Sequence, residues 1–328
     1  MKPNRAAPAR TSRRPARGEV FEVTLLESDS AVLKEEIAQL KKTRHAVILA
    51  HVYQRAEVQH VADHVGDSLE LSRRATEARA DVIVFCGVRF MAETASILNP
   101  HKTVLLPEPA AGCDLAESAT AQQVRRRLEE LPADTALVSY VNSSAEVKAE
   151  SYACCTSANA AEVVQSVPHE HVLFVPDRNL ASYVAERTGK HVVPWDGHCY
   201  VHDPNISPDA VRDLKRMHPH AAAMVHPECS PAVRRLADFV GSTSQMLRYA
   251  AQSERQQLVV GTEEGLLYPL QEQNPRKEFY ATGSVCSSMR LTTLLSVRRA
   301  LDRMTNVVSV PEEVRERAAV ALSRMLDA

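Results

Sequence analysis

The chain has 328 residues, of which 45% are hydrophobic and 24% charged, a composition typical of globular proteins with two or three hydrophobic cores. Its formal net charge of −2 gives no electrostatic reason to expect a nucleic-acid or membrane-surface partner. No run approaches the ~18 consecutive apolar residues of a membrane span, and the N-terminus lacks the apolar stretch of a secretory signal. We therefore expect a cytoplasmic protein that binds neither nucleic acid nor membrane.

The N-terminal segment, residues 1–18, is strongly basic. It contains five arginines, one lysine and three prolines, and it has no acidic residue. This composition predicts a disordered basic tail, with an Arg-rich transit peptide as the alternative.

The rest of the chain contains a threefold internal repeat, which decides the fold class. The aligned residues at repeat positions zero, seven and seventeen are His51, Tyr140 and His226; Val58, Val147 and Val233; and Ser68, Ser157 and Thr243. An amphipathic helical run precedes each copy: AVLKEEIAQLKK, AQQVRRRLEEL and DAVRDLKRM. Their apolar residues recur at three- and four-residue spacing, as on one face of an α-helix.

Short apolar strands alternate with helices in each copy. The strand candidates are DVIVFCG, HVLFVPD and QLVVGTE, and each copy closes with a strand entered through a turn that ends in lysine, in NPHKTVLLPE, TGKHVVPWDG and NPRKEFYATG. This alternation predicts βα units around a parallel sheet. We predict an α/β fold of three similar parallel-sheet domains, related by a pseudo-threefold axis, with the active site at their junction.

The repeat also sets the predicted domain boundaries. Repeat 1 covers residues 19–113, repeat 2 covers 114–199 and repeat 3 covers 200–286, and helices in 287–328 are expected to pack back on repeat 1. In a parallel sheet the carboxyl ends of all strands share one edge, where ligands bind. Three such edges facing inward would form one central site.

Seven cysteines lie at positions 86, 113, 154, 155, 199, 229 and 286. An odd number without a secretory signal indicates reduced thiols rather than a disulfide framework. Cys113, Cys199 and Cys286 follow the last strand of their repeats, at separations of 199 − 113 = 86 and 286 − 199 = 87 residues. Three such thiolates fit zinc with one further ligand or, as single cysteines from distant loops favour, a [4Fe-4S] cluster with one iron left open. The other four are interpreted as buried small hydrophobic residues.

Polar side chains follow the first strand of each repeat, in the triplets His51-Val52-Tyr53, Tyr140-Val141-Asn142 and His226-Pro227-Glu228. His226 with Glu228 is a candidate acid/base set, whereas a single histidine there is more often structural. Ser68, Ser157 and Thr243 fall at predicted helix starts, where they are either plain N-cap residues or part of a pocket for carboxylates or phosphate. His202, three residues after Cys199, either contacts substrate or supports the cysteine.

The motifs AHVYQRAEVQ, ADHVGDSLELS, KTVLLPEPAAGCDLAES, SYVNSSAEVKA, GHCYVHD, HPECSPAV and ADFVGSTSQM follow one another along the chain. With them the chain resembles the quinolinate synthase (NadA) family from about Ala46 to Leu291. The resemblance implies condensation of iminoaspartate with dihydroxyacetone phosphate to quinolinate, with release of phosphate and water, in de novo NAD biosynthesis. It also implies a functional link to L-aspartate oxidase, which would supply iminoaspartate.

The resemblance further implies a [4Fe-4S] cluster held by Cys113, Cys199 and Cys286, whose open iron acts as a Lewis acid. The implied substrate contacts are His51, Ser68, Tyr140, Val141, Asn142, Ser157, His226, Pro227, Glu228 and Thr243, and the implied catalytic residues are Tyr53, Tyr140, His202, His226 and Glu228. Two alternatives remain from the residues themselves. One is another [4Fe-4S] hydro-lyase, and the other is a non-catalytic iron-sulfur or zinc protein.

Overall fold

The computed structural model describes residues 17–328, with side chains described from residue 30 onward. The tail predicted over 1–18 therefore lies outside the described residues, apart from its last two positions. The first helix, α1 (Arg17–Thr43), contains the first of the three predicted amphipathic runs. None of the helices in the described part is both long and apolar enough to cross a bilayer.

Repeat 1 forms a four-stranded parallel sheet with the strand order β2-β1-β3-β4. Its elements are β1 (Ala46–His51), α2 (Ala56–Val61), β2 (His64–Gly66), α3 (Ser68–Glu77), β3 (Val82–Cys86), α4 (Arg89–Leu98) and β4 (Thr103–Leu105). All five residues of β3 are buried, as is typical of a parallel strand that is covered on both faces.

Repeat 2 forms a second parallel sheet, ordered β6-β5-β7-β8. Its elements are α5 (Asp114–Glu117), α6 (Ala121–Glu129), β5 (Ala136–Tyr140), α7 (Ala145–Glu150), β6 (Ala153–Cys155), α8 (Ala160–Ser166), β7 (His171–Val175), α9 (Arg178–Thr188) and β8 (His191–Pro194). Cys154 and Cys155 lie in β6 and are fully buried, as predicted for small hydrophobic residues.

Repeat 3 forms the third parallel sheet, ordered β10-β9-β11-β12. Its elements are α10 (Pro208–Met217), β9 (Ala222–Val225), α11 (Pro231–Arg234), β10 (Phe239–Val240), α12 (Thr243–Gln252), β11 (Gln257–Gly261), a 3₁₀ turn (Glu264–Leu266), α13 (Leu267–Gln273) and β12 (Glu278–Ala281). The three sheets thus share one strand order, second-first-third-fourth, and the prediction of an α/β fold with one parallel sheet per repeat is confirmed.

The lysines that end the predicted turns have the same contacts in all three repeats. Lys102, Lys190 and Lys277 each donate from Nζ to backbone carbonyls at or just beyond the C-terminal ends of α3, α8 and α12. In repeat 1 the two acceptors are the carbonyls of Ala75 and Ala78, at 2.9 and 2.6 Å. The last carbonyls of a helix have no partner within the helix, and a cation there is favoured by the helix dipole. The lysine therefore fixes the turn into the last strand of each repeat.

The hydrophobic core explains why the three sheets face one another. Leu49 of β1 belongs to a large central cluster that also includes Val138 of β5 and Met224 of β9. The neighbours of Leu49 on β1, Ile48 and Ala50, belong instead to a separate cluster on the other face of the sheet. Side chains alternate between the faces of a strand, so one face of each sheet contributes to a core shared by all three repeats. This shared core brings the carboxyl ends of the first strands together.

The C-terminal segment contains a 3₁₀ turn (Met289–Leu291), α14 (Leu294–Arg303) and α15 (Glu312–Asp327). Helix α14 packs on α1 and β3, and Arg44 donates to the carbonyls of Leu301 and Asp302, the latter at 2.7 Å. Helix α15 packs mainly on α7 and β6 of repeat 2 and also contacts α4. The exact domain boundaries stay a prediction.

Candidate functional site

One cavity lies at the ends of the first strands of the three repeats. It encloses about 780 Å³ of empty space, part of which is open to solvent. The predicted site residues that line it are His51, Tyr53, Ser68, Cys113, Tyr140, Asn142, Ser157, Cys199, His202, His226, Glu228, Thr243 and Cys286. Residues from all three repeats, far apart in sequence, therefore share one wall.

Val141 and Pro227, two other predicted contacts, do not line the cavity. Val141 is buried in the central core, and its backbone N–H donates to the Cys155 carbonyl at 2.9 Å. Pro227 is also buried, and its carbonyl accepts a hydrogen bond from Arg234 at 3.4 Å. The triplets lie in turns at the ends of the first strands: the His51 carbonyl accepts from the Gln54 N–H at 2.9 Å, and the His226 carbonyl accepts from the Cys229 N–H at 3.0 Å. In each triplet the two flanking residues reach the cavity and the middle residue does not.

The three repeat-related cysteines, Cys113, Cys199 and Cys286, all line this cavity as free thiols. Burial raises the pKa of Cys113 to about 12, and it also raises the pKa values of Cys199 and Cys286. The Cys286 charge raises the pKa of Cys113 further, and the charges of Glu228, Cys113 and Cys286 raise that of Cys199. Iron or zinc reverses this effect, since a thiol that coordinates a metal is deprotonated. The donor set fits a metal centre with three thiolate ligands.

Each cysteine loop is fixed by the same backbone hydrogen bond. Arg89, Arg178 and Glu264 donate from N–H to a carbonyl two residues before the cysteine of their repeat. The acceptors are Ala111, Gly197 and Ser284, and the distances are 2.9, 2.8 and 3.0 Å. The donors begin α4, α9 and the 3₁₀ turn that follows β11. The carboxyl end of the third strand therefore positions the cysteine loop in each repeat.

Two buried carboxylates strengthen this arrangement in repeats 2 and 3. Asp177 accepts a hydrogen bond from the Cys199 N–H at 3.2 Å, and Glu263 accepts one from the Cys286 N–H at 3.3 Å. Both acids are fully buried. Val88 has the equivalent position in repeat 1, just before Arg89, and has no carboxylate to offer. Sequence reasoning missed these acids, although the ends of HVLFVPD and QLVVGTE show them once the repeats are aligned.

Glu228 is the centre of a buried hydrogen-bond network. Tyr140 donates from its hydroxyl to Glu228 Oε1 at 2.5 Å, and His202 Nδ1 lies 3.1 Å from Glu228 Oε2. Burial alone would raise the pKa of Glu228, but His202, His226 and the hydrogen bonds together hold its pKa at about 2. Burial and the Glu228 charge raise the pKa of Tyr140. The pair therefore consists of an ionised carboxylate and a protonated phenol.

Thr262 connects this network to Tyr53. Its hydroxyl lies 2.9 Å from His202 Nε2 and 2.6 Å from the Tyr53 hydroxyl, and it is fully buried. Nothing in the sequence repeat marks Thr262, because its role depends on contacts with residues 60 and 209 positions away.

The two histidines at repeat position zero share one backbone contact. The N–H of Tyr53 donates to His51 Nδ1 at 3.2 Å, and the N–H of Glu228 donates to His226 Nδ1 at 3.3 Å. Burial lowers the pKa of His51 to about 4 and that of His226 to about 3. Both rings are therefore neutral near pH 7, and because Nδ1 is an acceptor, the proton is on Nε2. Each ring presents an Nε2–H donor, which in His226 lies 3.1 Å from Ser157 Oγ.

The interpretation of Ser68, Ser157 and Thr243 as N-cap residues is wrong. Ser68 and Thr243 are the first residues of α3 and α12, and the caps are the preceding residues, Asp67 and Ser242. Ser157 lies before the start of α8, outside the cap. At α3 the Asp67 carboxylate accepts from the N–H groups of residues 69 and 70, at 3.1 and 3.0 Å. At this helix start the two N–H groups are therefore not free to bind an anion.

One subset of the cavity wall has the spacing of a metal site. A thiol, an imidazole nitrogen and a carboxylate oxygen from Cys199, His202 and Glu228 all lie within 4.8 Å of one another. Cysteine, histidine and glutamate are ligand types of transition metals such as zinc.

Comparison with known proteins agrees with these features. A family model described as Quinolinate synthetase A protein matches residues 35–327. Quinolinate synthase of Thermodesulfovibrio yellowstonii is 52% identical over 295 residues, covering 89% of this chain and 97% of that relative. Quinolinate synthase of Desulforudis audaxviator is 51% identical over 297 residues, covering 90% of this chain and 97% of that relative.

An archaeal relative gives a similar result. Quinolinate synthase 1 of Methanosarcina acetivorans is 50% identical over 298 residues, which cover 90% of this chain and 97% of that relative. The region matched by the family model, residues 35–327, includes every residue that lines the cavity. The chain belongs to the quinolinate synthetase A protein family.

Proposed function

We propose that the protein is a quinolinate synthase, which condenses iminoaspartate with dihydroxyacetone phosphate and releases phosphate and water. The observation that carries this proposal is the cavity shared by three repeats, with one cysteine from the same loop position of each. Membership of the quinolinate synthetase A family and relatives named quinolinate synthase support it. Both substrates are small anions, which suit an enclosed site rich in N–H and O–H donors.

The three domains are related by a pseudo-threefold axis in this proposal. Three kinds of repeated detail support the relation: the strand order, the lysine contacts at the ends of α3, α8 and α12, and the backbone bond that fixes each cysteine loop. These three similarities involve different sets of atoms. One α/β unit present in three copies, related by an approximate threefold axis, explains all three similarities.

Cys113, Cys199 and Cys286 would hold a [4Fe-4S] cluster. The fit is supported by three free thiols that line one cavity, where the Cys286 charge raises the pKa values of both Cys113 and Cys199. When bound, a cluster with three protein ligands supplies an iron that is free to act as a Lewis acid toward substrate oxygen atoms. The overall condensation is redox-neutral, so no electron carrier is needed.

The neutral donors of the cavity would bind and orient the substrates. His51 and His226 would each donate from Nε2–H to a substrate carboxylate, and neutral imidazoles do this without adding a buried charge. Other polar contacts would come from Ser68, Asn142, Ser157 and Thr243. Val141 and Pro227 would hold the backbone conformation of the triplets, so that the residues on either side of them reach the substrate. Hydrogen-bond donors held rigidly around developing negative charge stabilise it most strongly.

Glu228 and its partners would move protons. The ionised carboxylate can accept a proton, and Tyr140 and His202 adjoin its two oxygens at 2.5 and 3.1 Å. The Thr262 hydroxyl connects His202 to the Tyr53 hydroxyl. Through this chain a proton would pass from His202 to Tyr53, which lines the cavity. Isomerisation, ring closure and dehydration each require such transfers. His226, whose ring stacks on His202 at 4.4 Å, would complete the set.

The proposed setting follows from the substrates. Iminoaspartate is made by oxidation of aspartate, so L-aspartate oxidase would be the functional partner. The product places the enzyme in de novo NAD biosynthesis, and we propose a cytoplasmic location.

The proposal is tested on protein purified without oxygen. Iron content and the visible spectrum report the cluster, and quinolinate formation from the two substrates reports the activity. We expect iron, the broad iron-sulfur absorption and quinolinate. Zinc without iron would contradict the cluster, and an intact cluster without quinolinate would favour a hydro-lyase.

The ligand assignment is tested by two cysteine variants. Cys199→Ala should abolish cluster assembly, whereas Cys154→Ala should keep it, because Cys154 is buried in β6 outside the cavity lining. Equal loss of iron in both variants would contradict the choice of ligands.

A further inference from the structure

We propose that the protein without its cluster binds one divalent transition-metal ion, zinc in preference to calcium or magnesium, through Cys199, His202 and Glu228. The site differs from the three-cysteine centre, because only Cys199 belongs to both. This inference rests on the proposed function in one respect: it assumes that Cys199 is a ligand of the cluster when the cluster is present.

The first support is geometric. The three ligand atoms lie within 4.8 Å of one another, and His202 Nδ1 and Glu228 Oε2 are 3.1 Å apart. Zinc bound at about 2.0–2.3 Å to nitrogen, oxygen and sulfur in a tetrahedral arrangement separates its ligands by about 3.4–3.6 Å. An ion therefore fits after small side-chain rotations, between the His202 Nδ1 and Glu228 Oε2 atoms that face each other.

The second support is that each ligand already has an outer hydrogen-bond partner. Thr262 Oγ1 lies 2.9 Å from His202 Nε2, which leaves Nδ1 to face the ion. Tyr140 donates to the other oxygen of Glu228 at 2.5 Å, and Asp177 accepts from the Cys199 N–H at 3.2 Å. Partners of this kind orient metal ligands and strengthen their binding.

The third support is charge. Two acidic side chains, Glu228 and Asp177, are buried next to His202 and Cys199. A divalent ion bound by Glu228 and a Cys199 thiolate would offset the negative charge of these two ligands. The fourth coordination position would face the cavity that all three ligands line, where water can enter, as in zinc sites with three protein ligands.

The ligand types decide the class of ion. Thiolate and imidazole ligands suit zinc and other late transition metals, whereas calcium and magnesium prefer oxygen ligands alone. Since an ion at this site occupies Cys199, it excludes the cluster. Zinc binding to the newly made chain would therefore block cluster insertion.

The test uses the full chain without its cluster, under argon, with cobalt(II) alone as the spectroscopic probe. We expect one cobalt per chain, a thiolate-to-cobalt charge-transfer band and the visible bands of tetrahedral cobalt. Cys199→Ser should remove the charge-transfer band. Cys113→Ser and Cys286→Ser are the matched controls and should keep it. A band lost equally in all three variants would mean that the ion sits among the cluster cysteines and would overturn the proposal.

A second measurement compares loss of an outer hydrogen-bond partner, Thr262, with loss of a ligand, His202. Thr262→Val keeps the side-chain shape and should weaken zinc binding about 10–100-fold in competition with a chromogenic chelator, as loss of an outer partner does. His202→Asn should weaken it at least as much, and circular dichroism checks that each variant is folded. Unchanged affinity in both folded variants would overturn the proposal.

A third measurement separates this inference from the proposed activity. One equivalent of zinc, added before iron and sulfide, should prevent growth of the iron-sulfur absorption in the wild-type chain and leave a cluster assembled beforehand intact. Normal cluster growth in the presence of bound zinc would overturn mutual exclusion. A zinc-free reconstituted sample is assayed for quinolinate in parallel. Absence of quinolinate in that sample would contradict the proposed enzymatic function and would not affect the zinc site.

Discussion

Tyr140 of repeat 2 donates a 2.5 Å hydrogen bond to Glu228 of repeat 3, and both side chains are buried in the cavity wall. The contact joins residues 88 positions apart that follow the first strands of two different sheets. His202 and His226, together with this hydrogen bond, lower the pKa of Glu228, and burial and the Glu228 charge raise that of Tyr140, so the carboxylate is ionised and the phenol protonated. A proton donor and a proton acceptor are thereby held side by side.

Tyr140→Phe should lower kcat by about 10²–10⁴-fold, because it removes one partner of a proton-transfer pair. The ring remains, so the packing should be kept and KM should change less than kcat. Steady-state kinetics under argon measures both constants. Tyr268→Phe in α13 is the control and should leave kcat unchanged. A kcat for Tyr140→Phe within twofold of the wild type would contradict the role given to the hydroxyl.

Asp177→Ala should reduce the iron bound per chain after reconstitution. The carboxylate both caps α9, through the Leu180 N–H at 2.6 Å, and accepts from the Cys199 N–H. Loss of the cap costs about 0.5–2 kcal/mol, and the unpaired buried N–H adds about 1–3 kcal/mol. Iron content and thermal unfolding measure the two effects.

The control for Asp177 is a cap remote from any cysteine. Ser207 caps α10 through the Ala210 N–H at 3.1 Å, so Ser207→Ala should lower the melting temperature without lowering iron content. Asp177→Asn should be milder than Asp177→Ala, because one amide oxygen still accepts. Equal iron content in Asp177→Ala and Ser207→Ala would refute a positioning role for Asp177.

Acid should destabilise the fold through His51. Its pKa is lowered from 6.5 to about 4 in the folded state by burial, so between these values the unfolded chain binds more protons than the folded one. Stability is therefore complete above pH 6.5 and is lost as the pH falls toward 4. The contribution lost is about 2 kcal/mol by pH 5 and about 3 kcal/mol in total. Urea unfolding of the metal-free protein at several pH values measures it.

His51→Asn should flatten this pH dependence, because the amide oxygen can accept the Tyr53 N–H without titrating. His60→Asn alters an exposed histidine and serves as the control. If the stability of His51→Asn fell with pH as steeply as that of His60→Asn, the buried neutral state of His51 would be disproved.

Lys148→Met should destabilise the turn that carries Asn142. Lys148 is fully buried, it donates from Nζ to the Ser143 carbonyl at 2.5 Å, and it lies 5.5 Å from the centre of the Phe90 ring. Burial lowers the Lys148 pKa. The variant keeps the side-chain length but leaves the Ser143 carbonyl unpaired, at a cost of about 1–3 kcal/mol.

Thermal unfolding and KM measure the Lys148 effect, and KM should rise because the neighbouring Asn142 lines the cavity. Lys42→Met removes an exposed cation as the control. Similar melting temperatures and KM values in the two variants would contradict the role of Lys148.

Much of the fold could be predicted from local patterns. The strands β3, β7 and β11 were marked by apolar runs, and the last strands by the lysines that precede them. The cysteine spacing of 86 and 87 residues indicated which three thiols would share a cavity. These features could be predicted because periodicity and repeat spacing are properties of the amino-acid sequence itself.

The chain by itself thus determined three parallel sheets of one type and the residues at the ends of their first and last strands. Only the tertiary structure decided which neighbours tune those residues. Examples are Thr262 between Tyr53 and His202, and the hydrogen bonds from the Cys199 and Cys286 N–H groups to Asp177 and Glu263. Hydrogen bonds between distant segments, and the burial that makes them strong, depend on how the sheets pack against each other, and no local sequence pattern records that packing.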